Sequence, residues 1–222
     1  MKAIEPPRKL PRQARAQATV EAILEAAARI LAGEGYAAMS TNRVAERAGV
    51  SVGSLYQYFP NKNALVAALH QRHGRQIHEL LAQALDETRG RSLREQMSAM
   101  VHAGLQGHLL EPELHRVLEH EFPFFDTPAS ETEDYLGVHA RFDEILEAHR
   151  DEIAPRNLKL ARYMIVASTQ ALVHAAVIDP PAEFDTAEIE AAIVDLVMGY
   201  LNGSPMPLSV PPPAAAAHRA SA

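Results

Sequence analysis

Residues 40–59 restrict the fold more than any other part of the sequence, because they predict two short helices joined by one tight turn. Gly49 lies between these helices and can adopt the left-handed conformation that ends a helix, which costs residues with a Cβ roughly 1 kcal/mol or more. Ser40 or Thr41 can cap the first helix and Ser51 the second, since side-chain oxygens accept the orphan backbone N–H groups there. Proteins present such a second helix to the major groove of DNA.

The second predicted helix has an inward and an outward side. Leu55 and Phe59 lie inward by helical spacing. The outward side carries small, hydroxyl and aromatic residues: Val52, Gly53, Ser54, Tyr56, Gln57 and Tyr58. Glycine is unfavourable inside a helix, so Gly53 indicates the close approach of a phosphate or base edge. Asn61 is predicted to cap the next helix, and this places the Lys62 cation where a phosphate would stabilise it.

Three segments resemble the DNA-binding domain of the tetracycline-repressor (TetR) family of bacterial transcription regulators. They are AILEAAARILAGEGY at 22–36, TNRVAERAGVSVGSLYQYF at 41–59 and NKNALVAAL at 61–69. The resemblance implies an all-α homodimer whose three N-terminal helices bind an operator, with a larger helical domain that binds a small ligand and dimerises. It also implies phosphate contacts from Thr41, Tyr56, Tyr58 and Lys62. Contacts with bases or the adjacent backbone are implied for Asn42, Arg43, Val52, Gly53 and Ser54; Ser51 and Gln57 complete the predicted DNA-binding set.

The distribution of charge agrees with DNA binding at the N-terminal end. Residues 1–62 hold nine Lys and Arg against five Glu, a net charge of +4, whereas the other residues hold twelve against 23 acidic groups, a net charge of −11. A basic end on an acidic body is typical of a protein that meets DNA at one end. The basic segment at residues 8–15 can follow the DNA backbone or enter the minor groove, or can be only a solubilising terminus.

Composition excludes several other classes of protein. The sequence contains no Cys, so disulfides and thiolate metal sites are excluded. It has no apolar run close to the roughly 20 residues that span a bilayer, and no apolar signal segment. We therefore expect a cytoplasmic bacterial protein that binds no membrane and that associates with the nucleoid when it is bound to DNA. The eleven His match no compact ligand motif, and no nucleophile elbow or phosphate loop is present. We therefore predict no metal, no cofactor and no enzymatic activity.

Helical periodicity continues to the C-terminal region, without strand signals. We predict an all-α fold of about nine helices, divided into a basic flexible arm (1–18), a helix-turn-helix domain (19–65), a ligand-binding and dimerisation domain (66–202) and a disordered tail (203–222). Ser92 with Glu95, and Asp185 with Glu188, have the spacing of capping boxes that begin two of the later helices.

The last two predicted helices are apolar on more than one side. A symmetric dimer that forms a four-helix bundle would bury both sides, although a tightly packed monomer interior would produce the same pattern. The predicted interface comprises Ala167, Ala171, Ala175, Ala191, Val194 and Met198.

The predicted ligand pocket lies among the middle helices, and its existence is implied by the resemblance. Its candidates are compliant or apolar residues with a few polar ones, each of which can instead be ordinary core: Met97, Met100, Val101, Leu105, His108, Phe122, Phe124, Phe125, His139, Phe142, Tyr163, Met164, Gln170 and His174. The favoured function is a dimeric repressor that binds a palindromic operator on double-stranded DNA and is released by a small apolar or amphipathic effector. The alternative is a constitutive or partner-controlled DNA-binding factor.

Overall fold

The computed structural model describes residues 13–121 and 133–203. Within these ranges the chain forms nine helices: α1 (Ala14–Ala38), α2 (Thr41–Arg47), α3 (Val52–Tyr58), α4 (Lys62–Glu87), α5 (Leu93–Leu109), α6 (Pro112–Glu121), α7 (Glu133–Ala148), α8 (Leu158–Ile178) and α9 (Thr186–Asn202). The predicted all-α fold class is confirmed. α1 begins inside the segment predicted as an arm, because the Ala and Gln residues there favour helix.

The N-terminal core is built from α1, α2, α3 and the first turns of α4. Ile23 and Ile30 from α1 pack with Val44 from α2, and Leu55 from α3 packs with Leu65 from α4, all fully buried. The predicted turn after α2 is confirmed: Gly49 has φ +67°, and the Val50 N–H donates to the Ala45 carbonyl at 3.0 Å. Packing and turn together fix the angle between α2 and α3.

The C-terminal body joins α5, α7, α8 and α9 to the second half of α4 around another core, which includes Leu85, Met97, Phe142, Ile165 and Val197. Both predicted capping boxes are present, at the starts of α5 and α9. α4 has 26 residues and is therefore about 39 Å long. It runs from the N-terminal core into the body, so the predicted domain boundary at residue 65 falls inside a continuous helix.

α6 belongs to the body by sequence but packs with the N-terminal domain. Its Leu114 and Leu118 are buried in the N-terminal core, where they are 2% and 0% exposed. The two domains therefore share one helix in addition to the continuous α4.

Arg72 strengthens the same junction. Its guanidinium lies 3.2 Å from a Glu21 oxygen and 3.8 Å from one of Glu25, both on α1, and 3.2 Å from Glu111 just before α6. The Arg72 side chain is only 10% exposed. One cation on α4 thus holds carboxylates from α1 and from the start of α6.

Within residues 13–121 and 133–203, α8 and α9 present one exposed apolar face. The exposed side chains on it are Leu160, Tyr163, Met164, Ala167, Ala171, Leu172 and Ala175 on α8, and Ala191, Ala192, Leu196 and Tyr200 on α9. By length and composition alone, α8 could also cross a membrane, and 22% of its most apolar window is buried. No such segment was expected from the sequence. Ala161 and Val173 of the same helix nevertheless pack into the body core.

Two residues predicted for the dimer interface lie elsewhere. Val194 and Met198 are 3% and 9% exposed and pack inside their own body. They share the inward side of α9 with Ile193 and Val197, because the apolar arc of this helix is wider than its exposed face. Leu196 takes the outward position instead.

Candidate nucleic-acid interface

Side-chain caps begin each helix of the helix-turn-helix unit. The Ser40 Oγ accepts the Arg43 N–H at 3.3 Å, and the Ser51 Oγ accepts the Ser54 N–H at 3.0 Å. The Asn61 Oδ1 accepts the Ala64 N–H at 2.9 Å and begins α4. These caps satisfy orphan donors and fix where each helix starts.

The outward side of α3 is open, as the sequence predicts. Val52 is 39% and Tyr56 41% exposed, whereas Leu55 and Phe59 are buried beneath them. Asn42, Arg43, Ser51, Gly53 and Gln57 are also exposed, and Thr41, Ser54, Tyr58 and Lys62 are half-buried. The structure therefore places all eleven predicted DNA-binding residues at the surface of the helix-turn-helix unit or the start of α4.

Thr41 and Tyr56 form one polar position between α2 and α3. The Thr41 Oγ1 lies 3.0 Å from the Tyr56 hydroxyl. The two hydroxyls together offer a donor to an incoming phosphate while remaining hydrogen-bonded to each other. The pair also links the first turn of α2 to the outward side of α3.

Tyr36 supports Lys62, although no pattern in the sequence pairs these two residues. The Lys62 Nζ lies 3.8 Å from the centre of the Tyr36 ring, within the range of a cation–π contact. The Tyr36 hydroxyl bonds to the Asn63 Oδ1, and burial raises the pKa of Tyr36. Its phenol therefore stays protonated and donates this bond. The ring holds the ammonium at the N-terminal end of α4.

Arg43 is engaged within its own domain. Glu34 on α1 forms ion pairs with both Arg43 and Arg47, and Arg43 also donates to the Ala38 carbonyl at 3.3 Å. The contact with DNA that is predicted for Arg43 would have to compete with the Glu34 carboxylate. Spacing in the sequence provides no indication of this pairing, because Glu34 and Arg43 belong to different helices.

Gly53 is not required by the packing of its own chain. Of the described residues, a Cβ at this position would meet only the Ser51 Oγ, at 3.9 Å, and the backbone is not in the left-handed region. The packing around Gly53 therefore leaves room for a side chain, and the predicted contact with DNA would account for its absence.

We expect Gly53→Ala to raise the free energy of unfolding by about 0.5–1 kcal/mol, because alanine is the better helix former. The same substitution should weaken DNA binding at least about tenfold by holding the helix away from the groove. Urea denaturation and fluorescence anisotropy would measure the two effects. Gly74→Ala, at an equally unobstructed position in α4, is the control that should gain stability alone. Unchanged DNA affinity in Gly53→Ala would contradict the predicted contact.

The predicted pocket residues separate into groups. Met97, Met100, Val101, Leu105, His108 and Phe142 are buried in the body, whereas Tyr163, Met164 and Gln170 lie on the exposed face of α8. His139 and His174 are half-buried, and Phe122, Phe124 and Phe125 lie outside the described residues. The structure therefore brings the first group together, with His174 beside His108, and the pocket remains a prediction.

A cavity of about 200 Å³ is found elsewhere in the body. It lies where the end of α4, the start of α5 and the second half of α7 meet. The residues that line it are Leu85, Arg89, Gly90, Gln96, Arg141, Glu144, Ile145, Ala148 and His149. Around it, hydrogen bonds from Arg141 and Arg89 lower the pKa of Asp86 to about 2. Among the residues that the structure describes, none of those predicted for the pocket lines this cavity.

A capped two-helix unit with an open second helix, mounted on a larger helical body, defines the class of helix-turn-helix DNA-binding proteins. Comparison with known families agrees. Residues 23–69 match the family "Bacterial regulatory proteins, tetR family", and residues 92–201 match "Tetracyclin repressor-like, C-terminal domain". The chain belongs to the TetR family.

Individual relatives share the family but differ in sequence. The HTH-type transcriptional repressor KstR of Rhodococcus jostii is 32% identical over 116 residues, which are 52% of each chain, so the match spans about half the length of this relative. A TetR-family regulator from Marinobacter aquaeolei has a similar fold, with a TM-score of 0.60 at 22% identity over 84% of this chain and 97% of the other. The fatty acid degradation regulator FadR from Bacillus halodurans has a TM-score of 0.59 at 21% identity, over 82% and 94%.

Proposed function

We propose that this protein is a dimeric transcriptional repressor that binds a palindromic operator and is released by a small apolar or amphipathic effector. The observation that carries the proposal is the exposed side of α3, where Val52, Gly53, Tyr56 and Gln57 face outward above a buried Leu55. Its role is binding rather than catalysis, in the cytoplasm and on the nucleoid when bound to DNA. Its similarity to KstR, named a transcriptional repressor, supports repression rather than activation.

The uncovered face of α8 and α9 supports a dimer. It carries large apolar side chains such as Tyr163, Leu160 and Leu196, which are 65%, 52% and 52% exposed. A second copy related by a twofold axis would bury the same face on both chains. Twofold symmetry would also present two α3 helices to successive major grooves, about 34 Å apart, and so requires a palindromic operator.

Effector control would act through the junction between the two domains. α4 is continuous through both domains, and α6 packs its Leu114 and Leu118 into the N-terminal core. Arg72 links α1 to Glu111 just before α6. A ligand that prefers one arrangement of the body helices would change the separation of the two α3 helices. Binding of effector and binding of operator would then oppose each other by population shift.

DNA binding can be tested with the protein and the DNA that flanks its own gene. We expect wild-type affinity to fall steeply with salt. The double variant Tyr56→Phe with Lys62→Ala should reduce the slope of log affinity against log salt by about one for each phosphate that a subunit no longer binds. Fluorescence anisotropy over a salt series would measure both slopes. Lys159→Ala removes the same charge at an exposed position on α8 and should leave the slope unchanged. A wild-type affinity that does not depend on salt would refute the proposal.

A further inference from the structure

Four histidines from four different helices meet inside the protein. His73 belongs to α4, His108 to α5, His115 to α6 and His174 to α8. The ring centres of His108, His115 and His174 are 4.6–4.9 Å apart, and one ring nitrogen from each of these three lies within 4.8 Å of the others. His73, His108 and His115 are 4%, 6% and 1% exposed. Among the described residues, His73 Nδ1 and His115 Nε2 are buried without a hydrogen-bond partner, whereas buried polar atoms are normally satisfied.

Hydrogen bonds fix which nitrogens can act as ligands. The His108 Nδ1 lies 2.6 Å from the Gly104 carbonyl, so this nitrogen carries the proton and Nε2 keeps its lone pair. The His115 Nδ1 lies 2.9 Å from the His73 Nε2, while its own Nε2 is buried without a hydrogen-bond partner among the described residues. When His115 donates to His73, its Nε2 keeps its lone pair and is available as a ligand.

Burial affects three of the four imidazoles. Burial lowers the pKa of His73 and of His108 to about 4, and that of His115 to about 3. Neutral imidazole is the form that binds a metal, because the lone pair is not taken by a proton.

We propose that His108, His115 and His174 form a binding site for a divalent transition-metal ion of the zinc class. Imidazole nitrogens suit such ions, whereas magnesium and calcium need oxygen ligands. Three nitrogens bound to one zinc ion at about 2.0–2.1 Å are about 3.3 Å apart in a tetrahedral site, so small side-chain rotations would close the present arrangement. The fourth position would be taken by water or an exchangeable ligand.

Neighbouring groups would orient the ligands. His73 accepts from or donates to His115, and the Glu119 carboxylate lies 3.7 Å from the His174 Nδ1. Metal-bound histidines commonly direct their second nitrogen to a carboxylate, a carbonyl or another acceptor. The Gly104 carbonyl has this role for His108. Each of the three ligands thus has a polar neighbour that favours the required ring orientation.

The position of the site would couple the metal to the DNA-binding domain. His115 lies on α6 beside Leu114, which is buried in the N-terminal core, while His108 and His174 lie on body helices. An ion joining α5, α6 and α8 would therefore fix the N-terminal domain against the body. This coupling rests on the proposed function, whereas the metal site itself does not.

The site can be tested with the full chain after treatment with a chelator, using Co²⁺ as the spectroscopic probe and Zn²⁺ as competitor. We expect one equivalent of Co²⁺ per protomer, with the visible absorption of a tetrahedral nitrogen site, and displacement by Zn²⁺. His108→Gln and His174→Gln should each weaken binding at least about tenfold, and His73→Gln by about 10–100-fold through orientation of His115. Circular dichroism would verify that each variant is folded.

His102→Gln is the matched control, because His102 lies on α5 but is exposed and faces Glu190. It should bind Co²⁺ like wild type. The absence of stoichiometric binding, or equal effects of His102→Gln and the half-buried His174→Gln, would overturn the site. Measuring the affinity for flanking DNA with and without Co²⁺ separates the two proposals. Co²⁺ binding that leaves DNA affinity unchanged would overturn only the coupling. Absence of DNA binding both with and without metal would overturn only the proposed function.

Discussion

Replacing Leu196 by Glu is expected to convert the protein from a dimer to a monomer at micromolar concentration and to weaken operator binding at least about 100-fold. Leu196 is 52% exposed on the outward side of α9, on the face that we propose pairs with a second copy. Twofold symmetry would bring two carboxylates into one apolar interface, where each loses hydration and finds no compensating partner. The loss of DNA affinity would follow because each α3 helix would then bind its half-site alone.

Sedimentation or light scattering would measure the mass, and anisotropy with flanking DNA the affinity. Leu110→Glu is a matched control: Leu110 is also 52% exposed but lies between α5 and α6. This variant should remain dimeric and bind DNA normally. If Leu196→Glu remains a dimer while its circular dichroism is native, the contact between subunits must lie on another surface.

Replacing Arg72 by Met is expected to lower the free energy of unfolding by about 3 kcal/mol, since a nearly buried cation with several charged hydrogen bonds is removed. Glu21, Glu25 and Glu111 would then face an apolar side chain at the junction of the domains. Urea denaturation would measure the change.

Arg29→Met is the control for this substitution. Arg29 pairs with the same Glu25 on the surface of α1, and its side chain is 65% exposed. Ion pairs on the surface contribute little to stability, so the free energy of unfolding of the control should lie within about 0.5 kcal/mol of that of wild type. Similar stabilities for the two variants would show that Arg72 does not hold the junction together.

Local signals in the sequence were sufficient for the helix-turn-helix unit. The caps at Ser51 and Asn61 and the left-handed turn at Gly49 depend on residues within three or four positions of each other. Burial of Leu55 and Phe59 followed from helical spacing in a helix with one clearly apolar side. Short-range physical chemistry determines each of these features.

Contacts between distant segments could not be predicted from local signals in the sequence. α9 is apolar around most of its circumference, so spacing alone did not decide that Val194 and Met198 turn inward while Leu196 turns outward. The cluster of His73, His108, His115 and His174 gathers residues from four helices, none of which carries a compact ligand motif. Only the folded chain shows which faces meet.

The burial of Leu114 and Leu118 in the N-terminal core limits how this chain can be recombined with others. A chimera joined within α4 would combine the N-terminal domain of one regulator with the C-terminal body of another. It would bring together two surfaces that were selected separately. The regulator that contributes the N-terminal domain would have to supply a groove for these two leucines and an acidic patch for Arg72. Engineers who exchange specificities between such regulators should therefore transplant the complementary surface of α1 together with α6, and not only join the two chains within α4.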